Sequence, residues 1–134
     1  MSRSWPIRVA ALLTAPALVV LGTSTPAFAG DTWVSLVNST TVVASMQHVD
    51  DGDYFRVYDK LADGHGAKGY LYVYTSPTDK SLIATKYNGN GAGSYTSFQY
   101  NVVELLTYAM KVCSVDGADD PTPGPCSPIR NFTE

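Results

Sequence analysis

Residues 50–75 read DDGDYFRVYDKLADGHGAKGYLYVYT, and their alternation decides the fold class. Tyr54, Arg56 and Tyr58 fall on one side of the chain, with Phe55 and Val57 on the other. Further on, Leu71 and Val73 oppose Tyr70, Tyr72 and Tyr74. A period of two with one apolar side marks a β-strand that buries one face. Asp50-Asp51-Gly52 and Asp63-Gly64-His65-Gly66 are turn sequences, rich in residues that cap or tolerate positive φ. The stretch is therefore expected to be a hairpin, with the DGHG turn setting strand register. Its strands hold five of the nine tyrosines and its turn one of two histidines, so any reading of binding or chemistry passes through it.

The same reading extends along the chain. Residues 32–37 (TWVSLV) and 41–47 (TVVASMQ) are β-branched runs parted by Asn38-Ser39-Thr40. Residues 81–87 (SLIATKY), 95–103 (YTSFQYNVV) and 107–115 (TYAMKVCSV) read as further strands, and the C-terminal residues as an added edge strand. Glu104-Leu105-Leu106 is ambiguous and suits a short helical turn. Asn88–Gly93 (NGNGAG) is the most permissive loop. Seven or eight short strands with turn signals between them and no helix predict an all-β fold, a small antiparallel β-sandwich. A small closed barrel is the alternative.

Two segments fall outside that pattern. Arg3 and Arg8 precede an uncharged apolar run of 14 residues, Val9–Gly22, and Ala27-Phe28-Ala29 supplies a small-x-small site. This order predicts a secretory signal peptide, residues 1–29, cleaved after Ala29. The run is shorter than the roughly 20 residues a membrane span needs. The second segment lies between Cys113 and Cys126. Two cysteines in an exported chain predict one disulfide, closing the 12-residue loop SVDGADDPTPGP. In residues 107–115, Tyr108, Met110 and Val112 share a face, while Ala109, Lys111 and Cys113 share the other. The disulfide is thus expected to pin the Pro-rich loop to the outside of the sheet.

Residues 30–134 form the expected single domain, 105 residues long. Without Arg3 and Arg8 it carries 7 basic against 12 acidic residues, a net charge of −5, and no basic cluster in sequence. That balance argues against nucleic-acid and anionic-membrane partners.

Candidates for chemistry are few. His65 beside Asp63, and His48 beside an acidic turn, are explained by turn chemistry, with Asp63 capping and the imidazoles facing solvent. No GxSxG, HExxH or paired-carboxylate motif is present. The Asp-rich turns raise the question of Ca2+, with Asp59 and Asp63 the best-placed ligands, but none matches a known calcium loop. No enzyme activity and no cofactor are expected. The tyrosines point to binding instead. If Tyr54, Tyr58, Tyr70, Tyr72 and Tyr74 share an exposed face, they form an aromatic ladder with Arg56 at its centre, the composition of a protein-binding surface. Trp33, close to the start of the expected domain, is a further candidate anchor, with a place in the core the equal alternative. Strand propensity and half-burial under a second sheet are the competing explanation.

With YDKLADGHGAKGYLYV and YAMKVCSVDGADD read, the chain resembles small secreted actinobacterial β-rich proteins. They have a signal peptide, a V-x-D-x-x-A-D-G-x-G turn (here Val57, Asp59, Ala62, Asp63, Gly64, Gly66) and a late strand ending in cysteine. Some of these look like the adaptor subunit of secreted umbrella toxin particles, which joins a lectin-bearing subunit to the ring-and-stalk subunit. The resemblance implies a secreted adaptor that engages another secreted protein through about Gly30–Gln47. A second function class fits the same scaffold: an inhibitor of an extracellular protease, presenting the loop closed by Cys113 and Cys126.

Overall fold

A computed structural model of the protein describes residues 30–134; the expected signal peptide, 1–29, lies outside the described residues. Eight strands and no helix are found among them. They are β1 (Thr32–Asn38), β2 (Thr41–Val49), β3 (Tyr54–Asp59), β4 (Gly66–Tyr74), β5 (Lys80–Asn88), β6 (Tyr95–Gln99), β7 (Tyr108–Val115) and β8 (Arg130–Phe132). They form two four-stranded sheets, ordered β1-β2-β3-β6 and β5-β4-β7-β8, and every pairing is antiparallel.

The apolar sides of the two sheets meet. Leu36, Val43, Met46, Phe55 and Val57 from the first sheet pack against Ala67, Leu71, Tyr108, Met110 and Val112 from the second. Each large apolar side chain fully buried here contributes about 1.5–3 kcal/mol. The alternation read in β3, β4 and β7 assigns their faces correctly: Phe55, Val57, Leu71 and Met110 have no exposed surface.

The expected hairpin does not form. β3 and β4 belong to different sheets, and the connection between them crosses the end of the sandwich. The Lys60 amide still donates to the Val43 carbonyl of β2 (2.9 Å), so the chain leaves the first sheet only after Lys60, where Leu61 packs against the core. β4 pairs instead with β5, across the turn that opens after Tyr74, and with β7. Alternation reports which face a strand buries, not which strand lies beside it.

Three other expectations change. The sixth strand ends at Gln99. Beyond it, the Tyr100 amide donates to the Asp53 carbonyl (3.2 Å) and the Val102 amide to Asp53 Oδ2 (2.9 Å), drawing the segment across the core, where Val102 is buried. Glu104–Leu105 form a turn in place of a helical one, with Leu105 at φ 68°. His48 is inside the molecule: it stacks on Phe55 (4.7 Å) and lies tilted against Phe132 (4.8 Å), with Nε2 3.3 Å from Asp53 Oδ1. Its position in β2 opposite Phe55 turns it to the core.

Cys113 and Cys126 are bonded. They face each other between β7 and the segment leading to β8, flanked by hydrogen bonds from Ser114 N to Pro125 O (3.0 Å) and Ser127 N to Val112 O (2.8 Å). As its parity requires, Cys113 lies outside the core; the returning segment covers it completely.

Candidate functional site

Because β3 and β4 part company, the tyrosines divide between two faces on opposite sides of the sandwich. No single ladder of five exists.

The outer face of the first sheet carries Trp33, Tyr54, Arg56 and Tyr58. Register places Trp33 opposite Gln47, Gln47 opposite Arg56, and Tyr58 opposite Tyr95. The rings run obliquely across the sheet: Trp33 lies 5.4 Å from Tyr58, and Tyr58 lies 5.3 Å from Tyr95, centroid to centroid. Arg56 sits 5.3 Å over the Tyr95 ring and the Lys60 ammonium 4.6 Å over Tyr58. A hydrogen-bond chain holds the array: Tyr58 Oη donates to Gln47 Oε1 (2.8 Å), and Gln47 Nε2 donates to Asp31 Oδ2 (2.9 Å). The Asp50 amide donates to the other oxygen of Asp31 (3.1 Å), tying this face to the β2–β3 turn. Trp33 is 46% exposed and Tyr95 52% exposed, so neither is core. Ordered rings that remain open to solvent are the chemistry of a binding anchor: large contact area, with little side-chain freedom left to lose.

Tyr95 is not among the residues that the sequence singles out. The signal was present, since Tyr95, Ser97 and Gln99 alternate with Thr96 and Phe98. Only the β3–β6 pairing places Tyr95 beside Tyr58.

Tyr70, Tyr72 and Tyr74 occupy the outer face of the second sheet. Lys111, Lys68 and Lys80 surround the first two, and Tyr74 Oη donates to Asn131 Oδ1 (3.2 Å). Burial raises the pKa of the Tyr70 phenol, with Tyr72 and Asp120 adding to the effect, so it keeps its proton at neutral pH.

The DGHG connection separates two clefts. One, of about 340 Å³, lies between Leu36, Val43, Ser114 and Pro125; the other, of about 420 Å³, is lined by Asp59, Asp63, Tyr87 and Gly89. His65 borders both. Asp63 Oδ1 accepts the His65 amide (3.0 Å), the cap expected of this turn. The His65 imidazole does not simply face solvent: its Nδ1 contacts Asp116 Oδ1 at the start of the disulfide loop. Both side chains stay largely exposed, and among the described residues no hydroxyl or thiol hydrogen-bonds the imidazole. Asp59 is buried. Desolvation raises its pKa, the Leu61 amide opposing and Asp63 reinforcing the shift. Asp59 and Asp63 are engaged separately, by the Leu61 and His65 amides, and no group of three or more potential metal ligands occurs among the described residues.

No protein family, no curated protein and no solved structure matches this chain.

Proposed function

We propose that the protein is a secreted, non-enzymatic binding module that engages another secreted protein through the outer face of the β1-β2-β3-β6 sheet. The observation that carries this reading is the array of Trp33, Tyr58 and Tyr95 with Arg56, in which Tyr58 and Arg56 are half-buried and Trp33 and Tyr95 are open to solvent. Export rests on the pattern of residues 1–29, and the Cys113–Cys126 disulfide is compatible with an oxidising compartment. An adaptor role, as the resemblance to the umbrella-particle adaptor implies, would use this surface. Gly30–Gln47 would take part as a formed edge hairpin presenting Trp33, since β1 is paired with β2 along its length.

The inhibitor reading draws less support. Gly124 N and Pro125 O are tied to Ser114, and Asp120 accepts the amides of Asp116 (3.0 Å) and Thr122 (2.9 Å), so the loop lies back on the sheet.

The test is affinity capture from culture supernatant, followed by titration of the recovered partner. Trp33→Ala and Tyr95→Ala should each weaken binding about thirtyfold, the loss of a hot spot worth about 2 kcal/mol. Unchanged binding in both variants removes this face from the reading. Substrate turnover abolished by His65→Ala would overturn the non-enzymatic assignment, and stoichiometric loss of subtilisin-type activity would establish the inhibitor instead.

A further inference from the structure

The charges of this protein are sorted by position. Eleven of the twelve carboxylates lie off the strands; the exception is Asp59. Five of the seven basic residues in 30–134 lie on strands β4, β5, β7 and β8, namely Lys68, Lys80, Lys86, Lys111 and Arg130, and those strands carry no carboxylate. Among the described residues, no lysine or arginine lies within ion-pair distance of a carboxylate; the two such contacts are both from histidines. Lys86 and Arg130 take the inward register, opposite Gly69 and Met110. Lys68, Lys80 and Lys111 share the outer side with Tyr70 and Tyr72, so an acidic chain with no cluster of bases in its sequence folds one cationic face.

That face has a definite arrangement. Lys111 pairs across the sheet with Tyr70, and its ammonium lies 5.1 Å from the Tyr70 ring and 5.9 Å from the Tyr72 ring. Lys68 lies 5.6 Å from Tyr70, donating as well to the Ala118 carbonyl (2.7 Å), and Lys80 lies 5.7 Å from Tyr72. The ammonium groups are held by rings and left unneutralised. Leu82, the cross-strand partner of Tyr72, is 52% exposed beside them. Asp120 borders the face near Tyr70, its own oxygens already taken by the Asp116 and Thr122 amides.

We infer that the outer face of the β5-β4-β7-β8 sheet binds an acidic polypeptide segment, seating carboxylates on Lys68, Lys80 and Lys111 and an apolar side chain on Leu82. Charge complementarity selects an anionic partner. The aromatic faces are occupied by ammonium groups, which leaves little open ring for a sugar to stack on. Leu82 gives an apolar side chain of a polypeptide a place that a polyanionic glycan would not use. This surface lies on the opposite side of the sandwich from Trp33 and Tyr95, so the two readings stand or fall separately.

The experiment titrates the full chain, disulfide intact, with two fluorescein-labelled peptides: one all glutamate, one glutamate-rich with a central leucine. Both should bind, more weakly as ionic strength rises. The Lys68→Gln/Lys80→Gln/Lys111→Gln variant should bind about tenfold more weakly, the sum expected of three exposed charge contacts. Leu82→Ser should weaken only the leucine-bearing peptide, and Arg130→Gln should change neither. Matching thermal melts confirm that each variant is folded. The inference is overturned if neither peptide binds, or if the triple variant binds as tightly as the parent. It is equally overturned if heparin or anionic phospholipid vesicles bind this face in preference to the peptides. Self-association of the parent chain that the triple variant abolishes would assign the face to a second copy instead.

Discussion

Gly69 of β4 lies directly under Val57 of β3: a Cβ added at Gly69 would stand 2.6 Å from Val57 Cγ2 and 2.9 Å from Met46 Sδ. The two strands that a hairpin would set side by side are stacked face to face, at van der Waals distance through a glycine. Gly69→Ala should destabilise the fold by about 1–3 kcal/mol through overpacking. Combined with Val57→Ala, which vacates the space, the two changes should be non-additive by at least about 0.5 kcal/mol in urea denaturation. Strict additivity would contradict the stacking.

The disulfide joins residues 13 apart in sequence, at the margin of the second sheet. Replacing both cysteines by alanine should remove roughly 3 kcal/mol by the chain-entropy estimate. Residues 116–125 should gain hydrogen-exchange freedom first, since their ties to Ser114 depend on the closed loop. Protection in β2 and β3 should fall only with global stability.

Asp59 and Asp120 should respond to acid with opposite signs. Burial raises the Asp59 pKa, so this carboxyl holds its proton more readily folded than unfolded. Its contribution is full at low pH and is lost as pH rises through the raised value. Asp59→Asn should therefore melt at or above the parent temperature at neutral pH, the difference vanishing as pH falls through the carboxylate range. The Asp116 and Thr122 amides lower the Asp120 pKa, so its contribution is present above the unfolded-state value and is lost as pH falls through the lowered one. Asp120→Asn should melt lower at neutral pH and converge on the parent in acid. Melting curves of the three proteins across pH decide both signs.

Leu105 is 96% exposed and holds a left-handed backbone conformation, φ 68°. A leucine there is strained by about 1–2 kcal/mol and gains no burial in return. Leu105→Gly relieves the strain but adds about 0.4–1 kcal/mol of unfolded-state freedom. The net expectation is a rise in stability of between zero and about 1.5 kcal/mol by urea titration. A clear loss would mean that Leu105 makes a contact in solution that this geometry does not contain.

Much of the fold is legible in the residues themselves. The alternation of Tyr54–Tyr58, Tyr70–Tyr74 and Tyr108–Val112 fixes which side of each strand is buried, and the parity of Cys113 fixes the side on which the loop is tied. The site was legible only in part. Trp33, Tyr54, Arg56 and Tyr58 do share a face, but Tyr95 joins them through a pairing between strands far apart in sequence. Lys68, Lys80 and Lys111 are scattered along the chain, and only the register of β4 with β5 and β7 brings them together. The acidic turn beside His48 does not report its orientation, because its position in β2 turns it toward Phe55 and Phe132.

Local periodicity, turn chemistry and the count of cysteines were enough to place most of the strands, the buried sides of β3, β4 and β7, and the disulfide. That Asp50–Thr75 spans two sheets and divides its tyrosines between opposite surfaces follows from contacts distant in the chain. Alternation constrains a strand's orientation to the core but leaves its neighbour free. Here the choice was made by Leu61 entering the core and by Gly69 admitting Val57, contacts whose partners lie on other elements of the fold.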